Sequence, residues 1–112
     1  MRLLVCGGRD FQAGDVFFQA MEALPFEPSL IIQGGARGAD TLAKNWAYQK
    51  GVHCAEIRAM WHIHHKSAGM KRNRAMLQLR PDYVLAMPGG NGTDSMCDLA
   101  TKQGVPVWRP WG

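Results

Sequence analysis

The chain has 112 residues, 46% apolar and 20% charged, with thirteen Lys and Arg against nine Asp and Glu for a net charge of +4. That balance excludes a disordered or low-complexity chain, and the length predicts one domain, residues 1–112, around one core. No apolar run is long enough for a membrane span or a signal-peptide core, so a cytoplasmic protein with no membrane attachment is expected.

Leu3-Leu4-Val5-Cys6 reads as a buried strand ended by Gly7-Gly8. Residues 14–24 carry Val16, Phe17, Ala20, Met21 and Leu24 at helical spacing, and Pro25 and Pro28 close that helix. Leu30-Ile31-Ile32 is a second buried strand, ended by Gly34-Gly35. Residues 40–50 repeat the helical pattern through Leu42, Ala43, Trp46 and Ala47, with Gly51 as the stop. Residues 52–58 form a third, less apolar strand, and residues 59–67 read as irregular and His-rich. A helix over 69–79 stops before Pro81. Residues 83–87 form a fourth strand ended by Pro88-Gly89-Gly90, followed by a helix over 91–103 and a short strand over 105–108. Pro106 gives that last strand an edge position.

Strict strand–helix alternation with near-continuous apolar strands predicts an α/β, Rossmann-like three-layer sandwich. Its parallel sheet has five strands, expected in the order 3-2-1-4-5. Three unpaired cysteines, Cys6, Cys54 and Cys97, read as reduced core residues. Trp46 and Trp61 read as core or interface residues. Trp108 and Trp111 at the chain end point to edge cover or a subunit contact, and a homo-oligomer, most simply a dimer, is expected.

Three strand ends carry Gly-Gly, and the predicted topology puts all of them on the carboxyl edge of the sheet, where ligands of open α/β sheets bind. Such turns bring backbone N–H groups and a helix N-terminus up to an anion. Tight turn-making alone does not ask for Gly-Gly three times. Neither G-x-G-x-x-G nor G-x-x-x-x-G-K-[ST] occurs. Between Ile57 and Pro81 there is no acidic residue, while Arg58, Lys66, Lys71, Arg72, Arg74 and Arg80 supply six of the thirteen cations. That is a local anion-attracting field.

Arg9 is suited to a phosphate and Asp10 to a ribose hydroxyl, against the plainer reading of a mutual surface pair. Arg37 and Asp40 flank the second turn in the same way, and Asp40 is equally suited to capping the second helix. Arg72 points off the site toward solvent. His62, His64 and His65 have no carboxylate or thiol partner at metal-ligand spacing, so no metal is expected.

Pro88-Gly89-Gly90-Asn91-Gly92-Thr93 after a buried strand resembles the P-G-G-x-G-T loop of the SLOG superfamily, which includes the LOG nucleotide phosphoribohydrolases and the DNA-processing protein DprA. Together with Gly7-Gly8-Arg9-Asp10, residues 34–40 and residues 69–77, it is most similar to the YspA, cpYpsA-related branch. The resemblance implies a Rossmann-like nucleotide-binding fold with site residues at Gly7, Gly8, Arg9, Asp10, Gly34, Gly35, Ala36, Arg37 and Asp40. It extends the site to Asn73, Arg74, Pro88, Gly89, Gly90, Asn91, Gly92 and Thr93. In LOG enzymes the loop runs on to a Glu that cleaves an N-glycosidic bond, and Met96 stands at that position here.

Two functions follow. One is binding of a phosphorylated nucleotide or nucleotide-derived ligand of the ADP-ribose, NAD or AMP type, with no other cofactor required. The other is hydrolysis of such a ligand, for which the acids near the site are Asp10, Asp40, Asp94 and Asp98. A third, single-stranded nucleic-acid binding as in DprA, is weaker, because no aromatics interleave with the cations.

Overall fold

The structure, a computed structural model, describes residues 1–110. Its strands are β1 (Arg2–Cys6), β2 (Leu30–Gln33), β3 (His53–Glu56), β4 (Tyr83–Ala86) and β5 (Val107–Trp108). They form one parallel sheet in the order β3-β2-β1-β4-β5, as the alternation predicts. The helices are α1 (Gly14–Glu22), α2 (Ala39–Lys50), α3 (Trp61–His64), α4 (Ala68–Gln78) and α5 (Asn91–Lys102).

The apolar strands are buried on both faces because each face is covered by helices. Leu3 and Val5 of β1, Ile31 of β2 and Leu85 of β4 pack with Phe17 and Met21 of α1 and with Ala43 and Trp46 of α2. On the other face Leu4, Cys6, Ile32, Val84 and Ala86 pack with Met76 and Leu77 of α4 and with Met96, Cys97 and Ala100 of α5. The period-two alternation of side chains along each strand sorts them into these two clusters. Full burial of one such side chain, Phe17 for instance, contributes about 1.5–3 kcal/mol.

Three local expectations change. Residues 59–67 are not irregular throughout: they hold α3 and a 3-10 turn at His65–Ser67, joined through His65 at φ 50°. The amides of Ile63 and His64 both donate to the Met60 carbonyl, at 3.0 and 2.9 Å. Neither short element buries a residue, so no apolar period marks it in the sequence. Cys54 is exposed, because β3 is an edge strand, while Cys6 and Cys97 are buried. β5 begins after Pro106, whose carbonyl still accepts from the Val84 amide at 2.9 Å although its nitrogen has nothing to donate. Trp46 is buried and Trp108 packs partly buried on the α1/α2 side, whereas Trp111 lies outside the described residues. No helix among the described residues is long and apolar enough to cross a membrane.

At the carboxyl end of β2 and β3, paired Gln33 and Glu56 tie the edge strand in. Gln33 Nε2 donates to Glu56 Oε1 at 3.0 Å, and Arg58 Nε donates to Oε2 at 2.7 Å. Lys44 Nζ lies 3.5 Å from Oε1. The Gln33 hydrogen bond, then that of Arg58, pulls the Glu56 carboxyl down from 4.5 to about 2. Because the folded value is the lower one, the stabilisation is complete above about 4.5 and is lost as pH falls toward about 2. Glu56→Gln is expected to lower the urea midpoint at neutral pH and to flatten its fall across that acid window. A variant with the wild-type acid slope would show that the network does not hold the edge.

Candidate functional site

The chain builds the sheet outward from β1 to β3, then returns to lay β4 on the other side of β1. The order therefore reverses between β1 and β4, which is where a crevice opens in such sheets. A cleft of about 490 Å³ lies there. It is bounded by Gly7 and Gly8 after β1, by Gly90–Thr93 opening α5, and by Arg72, Asn73 and Met76 on α4.

The first and third glycine turns touch. The Gly8 amide donates to the Pro88 carbonyl at 2.8 Å. A Cβ on Gly89 would collide with Thr93 Oγ1 and come within 2.7 Å of the Gly8 nitrogen. Pro88 and Gly89 thus form the junction between the turns and do not line the cleft. Gly90 is different: a Cβ there meets nothing within 4 Å, and its φ of −101° is open to any residue. Gly90 is also the N-cap of α5, with no side chain satisfying the helix end. The Asp94 amide bonds to the Gly90 carbonyl at 3.1 Å, but the amides of Asn91, Gly92 and Thr93 meet no acceptor among the described residues. Three donors and the positive end of the helix dipole remain at the cleft.

The second turn is fastened by Asp40. Its Oδ2 accepts from the Ala36 amide at 3.1 Å. Burial raises the Asp40 pKa, and the amides of Ala36 and Gly34 together with the Arg72 charge oppose the rise. Asp40 does not cap α2, as the sequence allowed. The N-cap is Gly38, and the aspartate side chain reaches back to the preceding loop.

On α4 the two arginines exchange roles. Arg72, expected to face solvent, is half-buried at the cleft wall, while Arg74, expected in the site, is exposed and does not line the cleft. Arg72 Nη1 donates to the Gly34 carbonyl at 2.9 Å and Nε to Asn73 Oδ1 at 3.1 Å. Buried Asn73 in turn donates to the Gly92 carbonyl at 3.4 Å. The pair spans from the second turn to the first turn of α5. Two helical positions separate the arginines by roughly 200° of rotation, so only one can face the cleft.

Of the proposed acids, Asp40 alone lines the cleft. Asp10 is exposed and pairs with Arg37 at 3.4 Å rather than with Arg9, whose guanidinium stands 6.0 Å over the Trp61 ring. Asp94 is exposed and accepts from Arg109 at 2.9 Å, and Asp98 is exposed. Met96, 1% exposed, lines the cleft where LOG enzymes carry their glutamate. Cys6 also lines the cleft. The Cys97 neighbour and burial push the Cys6 thiol up, while Cys6 and then Arg109 draw the Cys97 thiol down.

A second cleft, of about 340 Å³, adjoins the first. Gly34, Gly35, Arg37 and Arg58 line it, and it shares Arg9, Ala36, Trp61 and Arg72 with its neighbour. Sequence reasoning missed Arg72, Trp61, Lys66 and Arg58 as lining residues. The signal for Arg72 was present: it lies four residues before Met76, which is buried on the same face. His62 and His65 are exposed, and His64 Nδ1 lies 3.3 Å from Lys71 Nζ. Among the described residues no three metal-ligating side chains gather.

Residues 1–64 match the family model described as YAcAr, the YspA, cpYpsA-related SLOG family. That stretch holds the first two glycine turns, while α4 and the third turn lie beyond it. The chain is also 36% identical over 116 aligned residues to the Gene 61 protein of Mycobacterium phage D29, covering 95% of this chain and 93% of that protein. No solved structure matches it. A family model covering more than half of the chain, on a sheet of the predicted order, places the protein: it belongs to the YspA, cpYpsA-related SLOG family.

Proposed function

We propose that the cleft at the β1/β4 crossover binds a phosphorylated nucleotide or nucleotide-derived ligand of the AMP, ADP-ribose or NAD type. SLOG membership supports a nucleotide-related role, and one observation carries the reading to this cleft: the unsatisfied amides of Asn91, Gly92 and Thr93 open into it behind a glycine that the fold does not require. A phosphate at that helix end receives backbone donors and the helix dipole. Arg72 and Lys66 on the wall add full charges, and Asn73 fixes the first turn of α5.

A second reading, hydrolysis of the bound ligand, has a single observation in its favour. Asp40 is a buried carboxyl in the cleft wall with a raised pKa, a property that general acids and bases share. Its bond to the Ala36 amide gives it a structural task as well. Turnover of AMP, ADP-ribose or NAD with release of free base, abolished in a folded Asp40→Asn variant, would establish hydrolysis. Binding with no base released leaves a binding protein.

Calorimetric titration with those three compounds tests the site. Gly90→Val is expected to fold like wild type, because its Cβ has open space, and to lose ligand binding, because the branched side chain stands between the ligand and the helix end. Wild-type binding by the folded Gly90→Val protein would put the site elsewhere. Arg72→Ala is expected to weaken binding by about 1.5–3 kcal/mol, roughly tenfold to a hundredfold, the range of a charge-assisted hydrogen bond. Arg74→Ala is expected to bind within about twofold of wild type. Equal losses for the two variants would point to a diffuse field rather than a seat on α4.

A further inference from the structure

The second cleft has a composition that one phosphate site does not explain. Arg9, Arg37, Arg58 and Arg72 converge on it from four separate parts of the chain: the loop after β1, the second glycine turn, the segment after β3, and α4. Bringing like charges together is unfavourable unless anions or counter-ions offset it. The acids nearby offset only part. Asp10 reaches Arg37 at a long 3.4 Å, with both side chains exposed. Glu56 engages Arg58 through Nε only, and shares its charge with Lys44. The terminal nitrogens of Arg58, a side chain 71% exposed, donate to no carboxylate among the described residues. The bonds of Arg72 to the Gly34 carbonyl and to Asn73 use Nη1 and Nε, so its Nη2 edge has no bond among the described residues.

We propose that this arginine cleft is a second anion site. The ligand is then a nucleotide carrying two phosphoryl groups, one at the α5 N-terminus and the other among Arg9, Arg37, Arg58 and Arg72. The assignment of the first group rests on the nucleotide reading above, and the arginine cleft stands on its own geometry. The two clefts share Arg9, Trp61 and Arg72, so one extended ligand can occupy both. Arginine presents a planar fork of donors that fits phosphoryl oxygens two at a time. The half-exposed Trp61 ring, already under Arg9, lines both clefts and is placed to stack on a base or to cover a sugar beside the diphosphate.

The experiment uses the whole chain and three probes: AMP, with one phosphoryl group, ADP-ribose, with two, and inorganic pyrophosphate, with no nucleoside. ADP-ribose is expected to bind at least tenfold more tightly than AMP. In Arg58→Gln, a change at an exposed side chain, ADP-ribose affinity is expected to fall about tenfold, with the penalty on AMP much smaller. Pyrophosphate is expected to shift the backbone amide resonances of residues 34–37, and Arg58→Gln to weaken that shift.

Equal losses for AMP and ADP-ribose, or pyrophosphate shifts confined to residues 90–93, would overturn the second site. A single-stranded oligonucleotide that binds through Arg58 while ADP-ribose does not would also overturn it, in favour of nucleic acid. If neither nucleotide binds but pyrophosphate still moves residues 34–37 in an Arg58-dependent way, the nucleotide reading fails and the arginine cleft remains an anion site.

Discussion

A hydrogen bond from the Gly8 amide to the Pro88 carbonyl, at 2.8 Å, joins the turns that follow β1 and β4. The strand order reverses between those two strands, so the helices that follow them, α1 after β1 and α5 after β4, lie on opposite faces of the sheet. The junction is tight: Gly89 has no room for a side chain, and a Cβ on Gly8 would come within 3.0 Å of the Pro88 carbonyl oxygen. The Gly8 carbonyl also accepts from the Ala39 amide at 3.3 Å, which ties the start of α2 to the same point. The start of α2, the start of α5 and the end of β1 are therefore positioned together, and the cleft is the space they leave.

The strand and helix order was legible because burial on both faces writes itself into the sequence. Leu3-Leu4-Val5-Cys6 has no polar alternation, since α1 and α2 cover one face and α4 and α5 the other. The three glycine turns were legible as a pattern, although the reasons differ: Gly89 lies too close to Gly8 and Thr93 for a side chain, Gly35 holds φ 74°, and Gly90 has open space. The rotation of α4 was not read. Arg72, Arg74 and the intervening Asn73 are all polar, and a helix over 69–79 accommodates either arginine facing inward. The decision comes from the long-range anchoring of Met76, Leu77 and Asn73, which lock the helix so that Arg72 meets the Gly34 carbonyl. The role of Asp40 was hidden in the same way, because its partners lie in the loop before α2 and not at the helix end.

The acid-free window from Ile57 to Pro81 shows how much a charge count can say and where it stops. It announced a field, but the structure divides that field. Arg58 and Arg72 face the second cleft, Lys66 lines the first, and Lys71, Arg74 and Arg80 are exposed. Arg80 sits at φ 54° with its carbonyl accepting from the Arg2 side chain, in the turn between α4 and β4. Composition fixes the number of charges, and only packing fixes which of them share a cleft.

Cys6, Met76 and Met96 give the main cleft three buried sulfur-bearing side chains, and Met70, which is exposed, adds a fourth at its edge. Thioethers are polarisable and have several low-energy rotamers, so they adjust to the shape of what lies on them instead of dictating it. Recognition in such a cleft divides by height. In the proposed nucleotide reading, the amides and arginines at the rim impose direction and charge, while the floor conforms to the ring laid upon it. On that reading, a different ring calls for substitutions at the rim before any in the floor, because the floor adjusts without being rebuilt.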